Sequence, residues 1–112
     1  MARLPAARTR VLHRRPRARD RVWTSMRVLR RFTIPDLSAT AECHRDNVRK
    51  FLKTLTGAGY LRVVAPRRSG VKGGYQVWML IRNTGPVAPR LQSDGRLFDP
   101  NLHVVVEARH DG

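Results

Sequence analysis

Apolar positions along this chain follow two periods, and the change from one to the other falls near residue 60. Val48, Phe51, Leu52 and Leu55 lie at i, i+3, i+4 and i+7, the spacing of one helix stripe. The stripe predicts a helix over residues 45–56, with Arg45, Asp46, Asn47, Arg49, Lys50 and Lys53 on its other sides. Gly57 and Gly59 supply a left-handed stop. Upstream, Ile34, Leu37 and Ala41 predict a shorter helix ending near Glu42. Thr33 and Asp36 have capping-box spacing, with Asp in place of the usual Glu, and Pro35 falls in the first turn, where a missing N–H costs little. Cys43 then occupies the turn as a small buried residue, and His44 is either the cap of the next helix or a phosphate contact. Val22, Met26 and Leu29, flanked by Trp23, predict a first helix over residues 20–31, capped by Asp20. Phe32 and Thr33 form an extended link.

Beyond residue 60 the period shortens to two. Residues 60–65 and 75–82 read as strands joined by a loop over 66–74. In the second strand Tyr75, Val77, Met79 and Ile81 share one face, and Trp78 and Leu80 the other. Apolar surface on both faces requires a cover for Trp78, either the C-terminal tail or a second subunit. Residues 83–90 hold a glycine and two prolines and cannot continue the sheet regularly. Leu97-Phe98 and residues 103–106 flank the turn signal Asp99-Pro100-Asn101 and read as a small hairpin. No internal repeat is present.

Charge changes what this outline implies. The 112 residues suffice for one small domain with tails, and 41% apolar content allows a modest core. Net charge is +15, from 23 basic and 8 acidic residues. Such an excess repels itself unless a polyanion neutralises it, so nucleic acid is the first partner to consider and an anionic membrane surface the second. Arginine dominates lysine, as codon bias in a GC-rich genome would also produce. Residues 1–19 contain Arg3, Arg8, Arg10, Arg14, Arg15, Arg17 and Arg19 and no acid. With no apolar face to bury, they are expected to be disordered alone, as a basic arm that lies along phosphates or enters a minor groove, or as a solvated tail. A mitochondrial transit peptide would also be Arg-rich and acid-poor, but this segment holds prolines and only Thr9 as a hydroxyl residue. No apolar run reaches the length of a membrane span. A single cysteine excludes an internal disulfide and fits a reducing compartment.

The order helix, helix, turn, helix, strand, basic loop, strand resembles a winged helix-turn-helix domain of the bacterial regulator type. The likeness spans residues 20–82. Its strongest stretch runs from Thr33 through Leu37, Val48, Phe51, Leu52 and Leu55 to Gly59-Tyr60-Leu61. Glu42 stands where that pattern usually has Gly, and His44 where it usually has a Ser or Thr cap. A weaker resemblance, through Trp23, Arg27-Val28-Leu29-Arg30-Arg31-Phe32 and Asp99-Pro100-Asn101, is to small proteins of Mu-like prophages. The first likeness implies an α+β fold of three helices and a two- or three-stranded wing sheet, with a basic arm over 1–19 and a C-terminal extension over 83–112. It implies a recognition helix over 45–56 entering the major groove and a wing over 67–74 on the backbone or minor groove. The second implies a phage or prophage regulator.

On that reading Arg45 and Arg49 can each fork onto guanine, and Asn47 can pair with adenine. Lys50 and Lys53 suit phosphates, as does His44 if it is not only a cap. Asp46 fits the positive end of its helix dipole better than a cytosine amine. Arg67, Arg68 and Lys72 lie among glycines that permit close backbone approach. The same loop lacks the Gly-Lys-Ser/Thr string and following helix of a nucleotide cradle. His13, His44, His103 and His110 have no metal-ligand spacing, and the eight carboxylates form no obvious pair. The expectation is a cytoplasmic, nucleoid-associated protein that binds double-stranded DNA without a cofactor and does no catalysis, with a homodimer through Trp78 and Leu80 or the C-terminal extension as a further expectation. The rivals are a structural RNA-binding or ribosome-associated protein, and a winged helix serving as a protein-interaction module.

Overall fold

The computed structural model describes residues 17–108. In order these are α1 (Ala18–Leu29), β1 (Arg31–Phe32), α2 (Ile34–Ala41), α3 (Arg45–Gly57), β2 (Leu61–Ala65), β3 (Val77–Leu80), β4 (Arg90–Leu91), β5 (Leu97–Asp99) and β6 (Val104–Val106). The result is an α+β fold of three helices and two small antiparallel sheets, ordered β1-β3-β2 and β4-β5-β6.

The first helix differs from expectation at both ends. It begins at Ala18, with Arg17 at the cap making no side-chain bond, and Asp20 lies inside the first turn. Ala18 rests on the core, so apolar contact extends the helix one turn earlier than the polar cap signal indicated. Val22, Trp23 and Met26 are buried, but Leu29 is exposed. The reason is that Arg30 turns the chain at φ 68° and the next two residues pair with β3, Arg31 opposite Met79 and Phe32 opposite Trp78. Arg17 to Arg19 therefore belong to the helix start, and the rest of the basic arm lies outside the described residues, as does His110.

The middle helices follow their sequence signals closely. Thr33 Oγ1 accepts from the Asp36 N–H at 3.2 Å, and the Thr33 N–H donates to Asp36 Oδ2 at 2.9 Å, completing the capping box. Glu42 ends α2 in the left-handed conformation, φ 51°, which is uncommon for a residue with a Cβ. Arg21 of α1 donates from Nε to the Ala41 carbonyl at 2.8 Å and so satisfies one of the orphan acceptors there. Cys43 is buried in the turn. His44 caps α3, its Nδ1 accepting from the Asp46 N–H at 3.1 Å. Val48, Phe51, Leu52 and Leu55 are all buried, as their spacing required. Gly57 is helical, and only Gly59, at φ 87°, takes the left-handed conformation expected of the glycine pair.

The sheet corrects an assignment of faces. A two-residue period separates the sides of a strand without saying which is inside. Leu80 pairs with Leu61, and Trp78 with both Phe32 and Val63, so these residues share the inner face. Leu80 is 4% exposed, covered by the molecule's own core, while Ile81 is exposed. Trp78 and Val63 sit where this inner face runs out past α3, and Trp78 is only partly covered.

Residues 83–108 close the other side. The expected hairpin forms, Leu97 opposite Val106 and Asp99 opposite Val104, and β4 adds an unexpected edge strand where the proline-bearing segment ends. Ala88 and Leu97 join the same buried cluster as Trp23, Phe51 and Leu55. Two polar bonds tie the segment down. Trp23 Nε1 donates to the Gly85 carbonyl at 2.8 Å, and the Tyr60 hydroxyl donates to Asp99 Oδ2 at 2.7 Å. Asn101 secures the loop between, donating from Nδ2 to the Val87 carbonyl at 2.7 Å. A Cβ on Gly85 would lie 2.7 Å from that Asn101 side chain, so glycine is required there.

Candidate nucleic-acid interface

Burial of its stripe fixes where α3 aims every other side chain. At 100° per residue, Arg45, Arg49 and Lys53, each four apart, form one ridge along the helix. Asn47, two residues from both Arg45 and Arg49, lies about 160° away from each. Lys50 lies between the flanks, on the side farthest from the core. All six polar positions from Arg45 to Lys53 outside the stripe are exposed.

The ridge borders a groove against the first sheet. Arg49, Gln76 and Trp78 line both of its lobes. One lobe, about 280 Å³, is completed by Ile34, Arg67 and Tyr75. The other, about 400 Å³, has Lys53 on one side and Val63 at its floor. Overhang of the inner sheet face beyond α3 creates this groove, and the cations of α3 stand over the apolar surface left open.

Tyr75 joins helix to loop. The guanidinium carbons of Arg45 and Arg67 lie 6.0 Å and 5.9 Å from the centre of its ring, within the range of cation–π attraction. Between β2 and β3 the loop is held by its own backbone, Arg68 N–H donating to the Gly74 carbonyl at 2.8 Å and Gly74 N–H to Val71 at 3.0 Å. A Cβ on Gly74 would fall 2.4 Å from the Arg68 carbonyl oxygen, so only glycine closes this turn. Arg67, Arg68 and Lys72 surround a further open cavity of about 370 Å³.

Electrostatically the surface is one-sided. Arg49 Nη1 meets Asp46 Oδ1 at 2.9 Å, one turn apart. Both side chains are mostly exposed, so the pair contributes only about 0.3–0.5 kcal/mol and yields readily to a competing anion. Among the described residues, Arg45, Lys50, Lys53, Arg67, Arg68 and Lys72 have no carboxylate within ion-pair distance. His44 uses Nδ1 for its cap, which leaves Nε2–H as its outward donor.

The sequence-predicted residues therefore divide. Arg45, Arg49, Lys53 and Arg67 converge on the groove, and Arg68 and Lys72 extend it along the loop. Asn47 is not with them. It lines a separate cavity of about 380 Å³ with Arg17, Arg19 and Arg90 on the opposite flank of α3. Tyr75, Gln76 and Trp78 were not among the expected binding residues. Trp78 stood out in the sequence as an apolar side chain in need of a cover, and the structure sets it beneath arginines. Nothing in the spacing of Tyr75 indicated that it leaves the strand and turns to α3.

The class these features define is a basic surface spread over one helix and one glycine-rich loop, with aromatic residues between them. Comparison with models of known protein families, with curated proteins and with solved structures gave no match. Among the described residues no helix is long and apolar enough to cross a membrane, and no three His, Cys, Asp or Glu side chains are grouped to hold a metal ion.

Proposed function

We propose that this protein is a winged helix-turn-helix protein that binds duplex DNA with sequence preference, as a transcriptional regulator of the kind phages and prophages encode, and that it acts by binding without catalysis. One observation carries this reading: the ridge of Arg45, Arg49 and Lys53 is left uncovered by the described chain and runs through Tyr75 into the cationic loop. An α-helix fits the major groove, about 12 Å wide, and arginines on its outer side reach base edges while loop cations reach phosphates. The strand order β1-β3-β2, with a loop projecting between β2 and β3, supports the same reading. A second copy would sit on Trp78 or on the C-terminal sheet, since Leu80 is taken up by the protein's own core.

Titration of labelled duplex DNA, single-stranded DNA and folded RNA at two salt concentrations tests this. Duplex should bind best, and affinity should fall steeply with salt. Arg49→Ala should cost about 1–3 kcal/mol at a selected site if the side chain reads a base. Tighter binding to folded RNA would replace this function with a structural RNA-binding role. No binding to any of the three would leave protein recognition as the use of the surface.

A further inference from the structure

The groove between α3 and β3 has chemistry that duplex phosphates do not need. Its floor and one end are aromatic, Trp78 and Tyr75, and Arg49 and Arg67 stand at its edge with Gln76 between the lobes. Phosphate oxygens gain nothing from an aromatic floor. Bases within a duplex present only their edges, because their faces are stacked. An unpaired nucleotide offers both things this groove is built to meet, a free π-face and a negative charge.

Three observations sharpen the match. The indole N–H of Trp78 and the hydroxyl of Tyr75 make no hydrogen bond to any described residue, although both side chains have water-facing surface in the groove. Two guanidinium groups gather on the single ring of Tyr75 with no described carboxylate to balance them, an arrangement an incoming phosphate would relieve. The lobe beside Tyr75, at about 280 Å³, lies near the lower bound of small-ligand sites, which suits one base and not a bulky cofactor. Gln76 can donate and accept at a base edge.

We propose that this groove takes one unpaired nucleotide of a DNA strand, its base against Trp78 and Tyr75 and its phosphate on Arg49 and Arg67. The inference rests on the nucleic-acid reading above and adds a preference: the protein binds more tightly where a duplex carries an unpaired base, at a frayed end, a bulge or a junction, than on a fully closed duplex.

Tryptophan emission provides a direct readout, because Trp23 is 0% exposed and Trp78 is the second of only two tryptophans. The full chain is titrated with a dumbbell duplex whose ends are closed by ethylene-glycol linkers that carry no base, with the same duplex carrying a short thymidine tail, with the tail alone, and with thymidine monophosphate. The tailed duplex should bind about 5- to 100-fold more tightly than the dumbbell, the increment expected of one stacked base, and should quench emission where the dumbbell does not. Trp78→Ala should remove that increment, so that tailed and closed duplex bind alike, and Trp78→Phe should keep most of it. Equal affinity for tailed and closed duplex overturns the proposal, as does a Trp78→Ala protein that still prefers the tail. Quenching by thymidine monophosphate at concentrations similar to the tailed duplex would also overturn it, by making a free nucleotide the occupant. If the dumbbell fails to bind but the tail still quenches Trp78, the duplex reading falls and the groove assignment stands.

Discussion

The chain has two tryptophans and two tyrosines, and the fold deals one of each to two different regions. In the junction between the sheets, Trp23 and Tyr60 are fully buried and meet edge to face, ring centres 6.0 Å apart. Every polar atom they carry is answered from within, Trp23 by the Gly85 carbonyl and Tyr60 by Asp99. In the groove, Trp78 is partly open and Tyr75 is 39% exposed, with arginines beside them and no described hydrogen-bond partner for indole or phenol. The same residue types thus complete a structure in one place and stay open to solvent in the other. What separates the two is whether the described chain supplies the anion: Asp99 is present in the junction, and none of the described carboxylates pairs with the groove's Tyr75, Trp78 or Arg67.

The comparison breaks most sharply under truncation of the indoles. Trp23→Ala opens a cavity in the centre of the core and orphans the Gly85 carbonyl, and should cost about 3–5 kcal/mol. Trp78→Ala, where the inner face of the sheet runs out past α3 and the indole is only partly covered, should cost about 1 kcal/mol. Urea denaturation of the two variants measures both. Similar losses would mean that Trp78 is a core residue and the groove an accident of its covering.

The next largest effect belongs to the buried acid. Burial alone would raise the carboxyl of Asp99, but hydrogen bonds from Thr84, Tyr60 and the backbone N–H groups of Asn101 and Leu102 outweigh it and hold the group below the usual carboxylate range. Burial first, and then the hydrogen bond to Asp99 and its charge, push the Tyr60 hydroxyl well above the ordinary tyrosine value, against a smaller opposing pull from Arg82. A carboxyl lowered in the folded state contributes stability that is complete above its unfolded value, about 3.9, and is lost as pH falls through the folded one. A phenol raised in the folded state contributes stability that is complete below about 10 and is lost as pH rises toward its folded value. Asp99→Asn should therefore lower stability by about 1.5–3 kcal/mol at neutral pH and flatten the acid limb of a plot of melting temperature against pH. An unchanged acid limb would show that other carboxylates govern it.

These two regions also mark where sequence was informative. The groove's helix was legible because a repeat of 3.6 both defines α3 and fixes which side is buried, and the Thr33–Asp36 cap has a local chemical signature. The junction was not, because Tyr60 and Asp99 are 39 residues apart and nothing local in either foretells the bond. Alternation separated the faces of β3 but could not rank them, since Val77, Met79 and Ile81 are as apolar as Trp78 and Leu80. Only pairing with Phe32 and Leu61 decides it. Within the candidate site, residue type alone grouped Asn47 with Arg45 and Arg49, and helix geometry sets it on the other flank.

The finest test concerns one contact that occurs in both regions. Arg82 lies 5.4 Å from the centre of the Tyr60 ring, as Arg67 lies 5.9 Å from that of Tyr75. Over Tyr60 the cation faces a ring whose hydroxyl already donates to a carboxylate, so its charge is partly balanced in place and the contact serves folding. Arg82→Gln should cost about 0.5–1 kcal/mol of stability, the value of a cation–π pair near the surface, and should leave nucleic-acid affinity lower by no more than one lost long-range charge. Over Tyr75 the cation shares its ring with Arg45, and mutual repulsion offsets what the ring supplies. Arg67→Gln should leave stability within about 0.5 kcal/mol of the parent while weakening binding and reducing the salt slope by about 1. Opposite signs in these two variants, stability lost at Arg67 and binding lost at Arg82, would exchange the roles of the regions and move the interface to the far side of the molecule.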